Sequence, residues 1–246
     1  MEFIDKNTSL TPDAVPVVSK YGTGVISKLY YITVATKPHP VLDRIKKNVE
    51  QNGEIIHVLG ETENRFIGWQ SSQNFGVKLR EVYKFIQKVS LRPNDVILFT
   101  DAYDVAYAGN KNEIISRYNC FNKPIVFGCE KHCNPDPHKA SHYIDIDKEF
   151  PFLNSGMFIG RVWALQKCME GYEFNDGEDD QRYWTSKFLS NPELIALDYD
   201  NQLFLNTVDI DMRYFSWNGK IAIYNLKKPL FIHVNGPDKR LIDTLV

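Results

Sequence analysis

The sequence predicts an α/β protein wound in the Rossmann manner, and three observations predict it. Short runs rich in β-branched and aromatic residues (Leu29 to Ala35, Glu54 to Leu59, Val96 to Phe99) alternate with stretches of helical spacing, Val41 to Gln51 and Gly76 to Val89. Val96-Ile97-Leu98-Phe99 is short, continuous and preceded by the turn signal Arg92-Pro93-Asn94, as in a fully buried strand. That strand ends abruptly in Asp101 and Asp104, and the carboxyl ends of strands are where open α/β sheets bind ligands. With 246 residues and 43% hydrophobic content, the chain can bury a full core.

Taken in order, residues 1–28 carry Pro12, Pro16, Gly22 and Gly24 without a sustained period and read as an irregular arm. No linker divides residues 29–246, which read as a single domain. Leu29 to Ala35 is the first strand, Thr36-Lys37-Pro38-His39-Pro40 breaks it, and Val41 to Gln51 is a helix. Glu54 to Leu59 is a second strand. The polar stretch from Gly60 to Gly76 holds Phe66, Trp69 and Phe75, and loops of that length are often functional. A helix from Gly76 to Val89 leads to the acidic strand.

Beyond Asp104 the pattern predicts a short helix over Asn112 to Tyr118, a strand over Ile125 to Cys129 and a polar loop from Glu130 to Pro151. Phe152 to Arg161 reads as a strand interrupted at Asn154-Ser155-Gly156, a bend where another group comes close. A helix over Val162 to Met169 follows. The acidic cluster Asn175-Asp176-Gly177-Glu178-Asp179-Asp180-Gln181 then precedes a helical pattern with apolar residues at Trp184, Phe188 and Leu189. Ile195 to Leu197 and Ile221 to Tyr224 are short strands, and Gln202 to Leu205 and Val208 to Ile210 are strands or turns. Pro229 to Val234 is a last strand carrying His233, followed by Asn235-Gly236-Pro237-Asp238-Lys239-Arg240.

Charge and composition exclude several functions. Lys and Arg total 29 against 31 Asp and Glu, and no basic stripe interleaves with aromatics, so no nucleic-acid partner is expected. Every apolar run is well short of the ~18 residues that span a bilayer, and Met1-Glu2 opens a polar stretch without a signal-peptide core, which predicts a soluble chain. Cys120, Cys129, Cys133 and Cys168 form no CxxC pair and read as free thiols, with a Cys129 to Cys133 bridge open to an oxidising compartment. His132, His138 and His142 lie on no regular face and read as solvated.

Asp101 and Asp104, three apart on a tight turn, can aim their oxygens at one point, which suits a hard divalent cation such as Mg, Mn or Ca; a capped turn with solvated acids is the alternative. Asp179 and Asp180 have a plain alternative as partners of a helix N-terminus, although four acids in five positions exceed what capping requires. A lone strand histidine such as His233 is ordinarily a satisfied core residue, but here it precedes a Gly-Pro turn and a Lys-Arg pair. Together these pieces describe a metal-bridged diphosphate site: a departing nucleoside diphosphate needs its charge neutralised while the anomeric carbon becomes cationic.

Five stretches make the sequence resemble a known family: Tyr31-Ile32-Thr33-Val34-Ala35-Thr36, Leu98 to Val105, Phe152 to Gly160, Asp179-Asp180-Gln181 and His233 to Lys239. From about Leu29 to Leu241 it is similar to the glycosyltransferase domain of procollagen lysyl hydroxylases and to stand-alone versions such as those of giant viruses. The resemblance implies a GT-A fold with a mixed sheet flanked by helices, Mn2+ and a UDP-glucose donor. It also implies retaining transfer of glucose to galactosyl-hydroxylysine of a collagen-like polypeptide acceptor, with a homodimer as a candidate assembly and the endoplasmic reticulum lumen as the family's compartment. A galactosyltransferase acting on hydroxylysine itself, or a non-catalytic collagen-binding module, are the alternatives.

By the same resemblance Asp101, Asp104 and His233 are metal ligands. Thr33, Thr36, Lys78, Tyr103, Asn154, Gly236 and Lys239 contact the donor, and Asp179 and Asp180 serve catalysis. Two departures stand out. Asn134 takes the place of the tryptophan in the family's Cys-Trp-Pro loop, and Trp69 or Phe66 stands in for the family's uracil-stacking tryptophan.

Overall fold

The computed structural model describes residues 27–68 and 74–246. The chain runs through β1 (Leu29–Val34), α1 (Pro40–Gln51), β2 (Ile56–Leu59), α2 (Gly76–Ile86), β3 (Val96–Thr100), β4 (Val105–Tyr107), α3 (Lys111–Tyr118), β5 (Ile125–Glu130) and β6 (Phe152–Arg161). It continues through α4 (Val162–Cys168), α5 (Asp180–Ser190), β7 (Ile195–Leu197), β8 (Phe204–Asn206), β9 (Phe215–Trp217), β10 (Ala222–Tyr224), β11 (Phe231–His233) and α6 (Ile242–Leu245). The expected arm falls almost wholly outside the described residues, as does Trp69.

A six-stranded sheet ordered β2-β1-β3-β6-β5-β7 forms the centre. β1 is parallel to β2 and β3, whereas β6 is antiparallel to both β3 and β5, so the sheet is mixed. Apolar side chains fill both its faces. Phe99 stacks on Phe158 at 5.0 Å between ring centres, and Trp184 of α5 packs on Phe127 and Phe158 at 5.2 and 5.4 Å. Trp184 lies one helical turn after Asp180, so the ring that fastens α5 to the sheet also aims Asp180 inward.

The predicted bend in β6 is present. Opposite it β5 skips register between Phe127 and Gly128, and a Cβ on Gly156 would stand 2.3 Å from His233 Cε1 and 2.9 Å from Asp101 Oδ2. Glycine is required there because side chains from two other elements use the space.

Two short strands have no expectation above, β4 and β9. β4 pairs antiparallel with β11 and β9 with β10, in pieces of three residues whose pairing is set by tertiary context. Val208 to Ile210, left open between strand and turn, is a turn. Cys129 and Cys133 are free, and His132, His138 and His142 lie outside the buried core.

Candidate active site

Backbone pairing brings the site together. The Asp101 N–H donates to the Gly156 carbonyl at 2.8 Å just past the end of β3, and the Val234 N–H donates to the Asp104 carbonyl at 2.8 Å, continuing the β4–β11 ladder. His233 thereby pairs with Val105 and faces the two acids. One ligand atom from each of Asp101, Asp104 and His233 lies within 4.8 Å of the others. His233 Nε2 is 3.3 Å from Asp104 Oδ2 and 3.7 Å from Asp101 Oδ2, while Nδ1 is 2.8 Å from Asn206 Oδ1. Asn206 Oδ1 suits a proton on Nδ1, so a cation that displaced the Nε2 proton would find a lone pair turned toward the acids.

These residues fit a divalent cation. Asp104 is buried, yet its Oδ1 has no hydrogen-bond partner among the described residues, a costly arrangement unless a cation or water satisfies it. Two carboxylate oxygens with one imidazole suit a divalent metal ion.

Cations already surround the carboxylates. Lys239 Nζ stands 2.5 Å from Asp104 Oδ2 and donates to the Val234 carbonyl at 2.7 Å. Burial would raise the Asp104 pKa, but His233 and Lys239 outweigh it and hold the carboxyl well below its usual range. Lys78, on the first turn of α2, stands 2.7 Å from Asp101 Oδ1 and 3.4 Å from Asp180 Oδ2. Burial alone would ease proton loss from Lys78, but Asp101 and Asp180 together push its pKa up.

The two acids at the start of α5 part company. Asp179 is the helix N-cap and its Oδ1 accepts from the Arg182 N–H at 2.9 Å. Asp180 turns inward, where its Oδ2 also accepts from the Ser155 hydroxyl at 3.0 Å. Burial pushes the Asp180 pKa up to about 6, against the pull of Lys78.

Beside the triad opens a cavity of about 690 Å3 whose lining includes Thr36, Phe66, Tyr103 and Lys239. The Tyr103 hydroxyl donates to the Lys37 carbonyl at 2.9 Å, and the Lys37 ammonium sits 3.2 Å above the Phe66 ring centre. Phe66 is itself largely exposed. Gly236 takes φ +77°, the left-handed conformation that glycine adopts freely, and turns the chain from His233 toward Lys239. Thr33 lies apart from the cavity lining: it is fully buried and its hydroxyl donates to the Thr100 carbonyl at 2.7 Å.

Residues 26–246 match the family model described as PLOD GT domain. The chain belongs to that family. It is 31% identical over 229 residues to procollagen-lysine,2-oxoglutarate 5-dioxygenase 1 of Mus musculus, covering 88% of this chain and 31% of that protein. It is also 31% identical over 245 residues to a Caenorhabditis elegans protein named multifunctional procollagen lysine hydroxylase and glycosyltransferase, covering 94% of this chain and 33% of that one. The chain thus spans about a third of the length of the curated relatives it matches. Among solved structures, a glycosyltransferase involved in glycosylation of the PBCV-1 major capsid aligns with a TM-score of 0.48 at 13% identity, over 89% of this chain and 100% of that one. The fold of this PLOD GT domain is a mixed sheet flanked by helices.

Sequence reasoning passed over a buried polar network in this PLOD GT domain. Glu130 at the end of β5 accepts from Asn154 Nδ2 (3.2 Å), Gln181 Nε2 (2.6 Å) and Asn235 Nδ2 (3.2 Å). Glu130 is the last residue of an apolar strand and reads in sequence as the first residue of a polar loop. Its signal was its position at the end of a buried strand, a place shared with Asp101. Asn134, in place of the family's tryptophan, offers its backbone carbonyl to Gln181 Nε2, at 2.9 Å.

Proposed function

We propose that this PLOD GT domain is an Mn2+-dependent retaining glucosyltransferase that moves glucose from UDP-glucose to galactosyl-hydroxylysine of collagen-like polypeptides. The observation that carries the reading is the convergence of Asp101, Asp104 and His233 beside a cavity lined by Thr36, Phe66, Tyr103 and Lys239. Residues 29–246 act as one GT-A domain in this reading. By the family's habit the work is done in the endoplasmic reticulum lumen. Among the described residues no helix is long and apolar enough to cross a membrane.

Asp101, Asp104 and His233 would hold the Mn2+ ion, which when bound supplies positive charge to a departing diphosphate. Lys239, on the cavity wall and next to Asp104, adds a second cation to the same task, and Gly236 shapes the turn that delivers it. Tyr103 and Phe66 offer ring faces to the uracil. Lys78 bridges Asp101 and Asp180, so the metal side of the site and the sugar side are tied through one ammonium. Asp180, buried and shielded from bulk water, is well suited to stabilise a cationic anomeric centre.

Side-by-side assays test the reading. Glucose transfer from UDP-glucose to free or peptide galactosyl-hydroxylysine, requiring Mn2+ and with little transfer to bare hydroxylysine, is the expected result. Preferential transfer of galactose to bare hydroxylysine would assign the other step, and binding of collagen peptide without UDP release would make the domain a binding module.

A further inference from the structure

Within the glycosyltransferase reading, we propose that Glu130 is a positioning residue: one buried carboxylate that holds Asp180 and His233, on separate elements, in register with each other. Three side-chain amides reach it from three parts of the chain. Asn154 comes from β6, Gln181 from the first turn of α5 and Asn235 from the residues after β11. All three donate, so the position requires a group that only accepts, and a carboxylate has lone pairs for all of them. An amide of the same shape would turn an NH2 group toward at least one donor.

Each contact leads to a residue of the proposed site within two steps. Gln181 follows Asp180 in sequence, and its Oε1 accepts from the Ser155 N–H at 3.3 Å while the Ser155 hydroxyl donates to Asp180 at 3.0 Å. Asn154 Oδ1 accepts from the Gly156 N–H at 3.0 Å, fixing the residue whose missing side chain makes room for His233 and Asp101. Asn235 lies two residues after His233, and its Oδ1 accepts from the Val208 N–H at 2.9 Å, which fixes its amide orientation so that Nδ2 faces Glu130. Glu130 is 5% exposed, with its two oxygens divided between the two halves: Oε1 serves the Asp180 side and Oε2 the His233 side. Cutting either set of contacts lets one half of the site drift against the other.

The test uses the full chain with three variants: Glu130→Gln, Gln181→Met, and the double exchange of Glu130→Gln with Gln181→Glu. The readouts are kcat, KM for UDP-glucose, Mn2+ affinity by electron paramagnetic resonance, and melting temperature. Glu130→Gln is expected to lower kcat by ~10–100-fold and weaken Mn2+ binding by ~10-fold, the range seen when outer partners of metal ligands are lost, with KM within about twofold. In the double exchange the amide now at position 130 donates to the carboxylate now at position 181, and kcat is expected to recover at least ~5-fold over the single variant as the lost hydrogen bond is re-formed. Should Glu130→Gln fail to fold, Gln181→Met tests the α5 contact from its more accessible side, with the same kcat loss expected. A folded Glu130→Gln with kcat and Mn2+ affinity within twofold of wild type overturns the proposal. A drop in melting temperature alone, with kinetics unchanged once folded, overturns it too. Wild-type protein that neither binds Mn2+ nor releases UDP overturns the glycosyltransferase reading itself, and this proposal with it.

Discussion

Two aspartate pairs meet at the candidate site, one after β3 and one at the start of α5, and they are built differently. After β3, Asp101 and Asp104 both point at one place, and three basic side chains meet them there, from Lys78, His233 and Lys239. At α5, consecutive residues turn apart. Both are buried, but Asp179 caps the helix, whereas Asp180 meets a cation, Lys78, that is shared with Asp101. The same residue type is therefore held charged at Asp104 and pushed toward neutrality at Asp180. What decides is the supply of positive charge, since burial penalises both carboxylates.

The largest expected effect breaks the first pair. Asp101→Ala or Asp104→Ala should cost at least ~1000-fold in turnover and remove Mn2+-dependent UDP binding measured by calorimetry, because a hard-cation site with one carboxylate left holds its metal poorly. Unchanged UDP affinity in either variant would sink the metal assignment. His233→Ala removes a neutral ligand that water can replace, and a softer loss of ~10-fold in Mn2+ affinity is expected.

Next comes the inward-facing acid of the second pair. Asp180→Asn keeps the shape and removes the charge, so kcat should fall by at least ~100-fold while UDP affinity stays near wild type, the signature of a contact made in the transition state alone. The same variant sharpens the comparison through pH. The folded pKa of Asp180 is raised, to about 6. Protonation therefore favours the fold, and the stability it contributes is full below the unfolded value near ~4 and is lost as pH rises through the folded value. In EDTA, the melting temperature of Asp180→Asn relative to wild type should be higher at about pH 8 than at about pH 4. A difference independent of pH would mean that the folded chain does not raise the Asp180 pKa.

Much of this contrast was legible in the sequence, and the part that was not has a physical reason. An apolar run ending in two carboxylates marks a strand end, and Asn154-Ser155-Gly156 inside an apolar stretch marks a close approach, because local chemistry carries both signals. The junction of β4 with β11, which brings His233 to Asp104, depends on two short strands far apart in the chain, and no local pattern encodes such pairing. The division between Asp179 and Asp180 was equally hidden. It follows from Trp184 packing on Phe127 and Phe158, which sets the rotation of α5 and so decides which acid faces the site. Glu130 was missed for a related reason, since three amides from three parts of the chain define it and none is near it in sequence.

The smallest expected effect belongs to Asp179. Its Oδ1 accepts the Arg182 N–H, one of the amides at a helix start that has no partner within the helix, and losing such a cap costs about 1 kcal/mol. Asp179→Ala should therefore lower stability by about that much in a denaturant titration and leave kcat within a few-fold of wild type. Asp179→Ser, which restores a capping oxygen without the charge, should recover most of the stability. The pair of variants separates capping from chemistry. If the serine variant is stable yet turns over ~100-fold more slowly, Asp179 contributes its charge to the reaction alongside Asp180, and the two acids at the start of α5 work together as the two after β3 do.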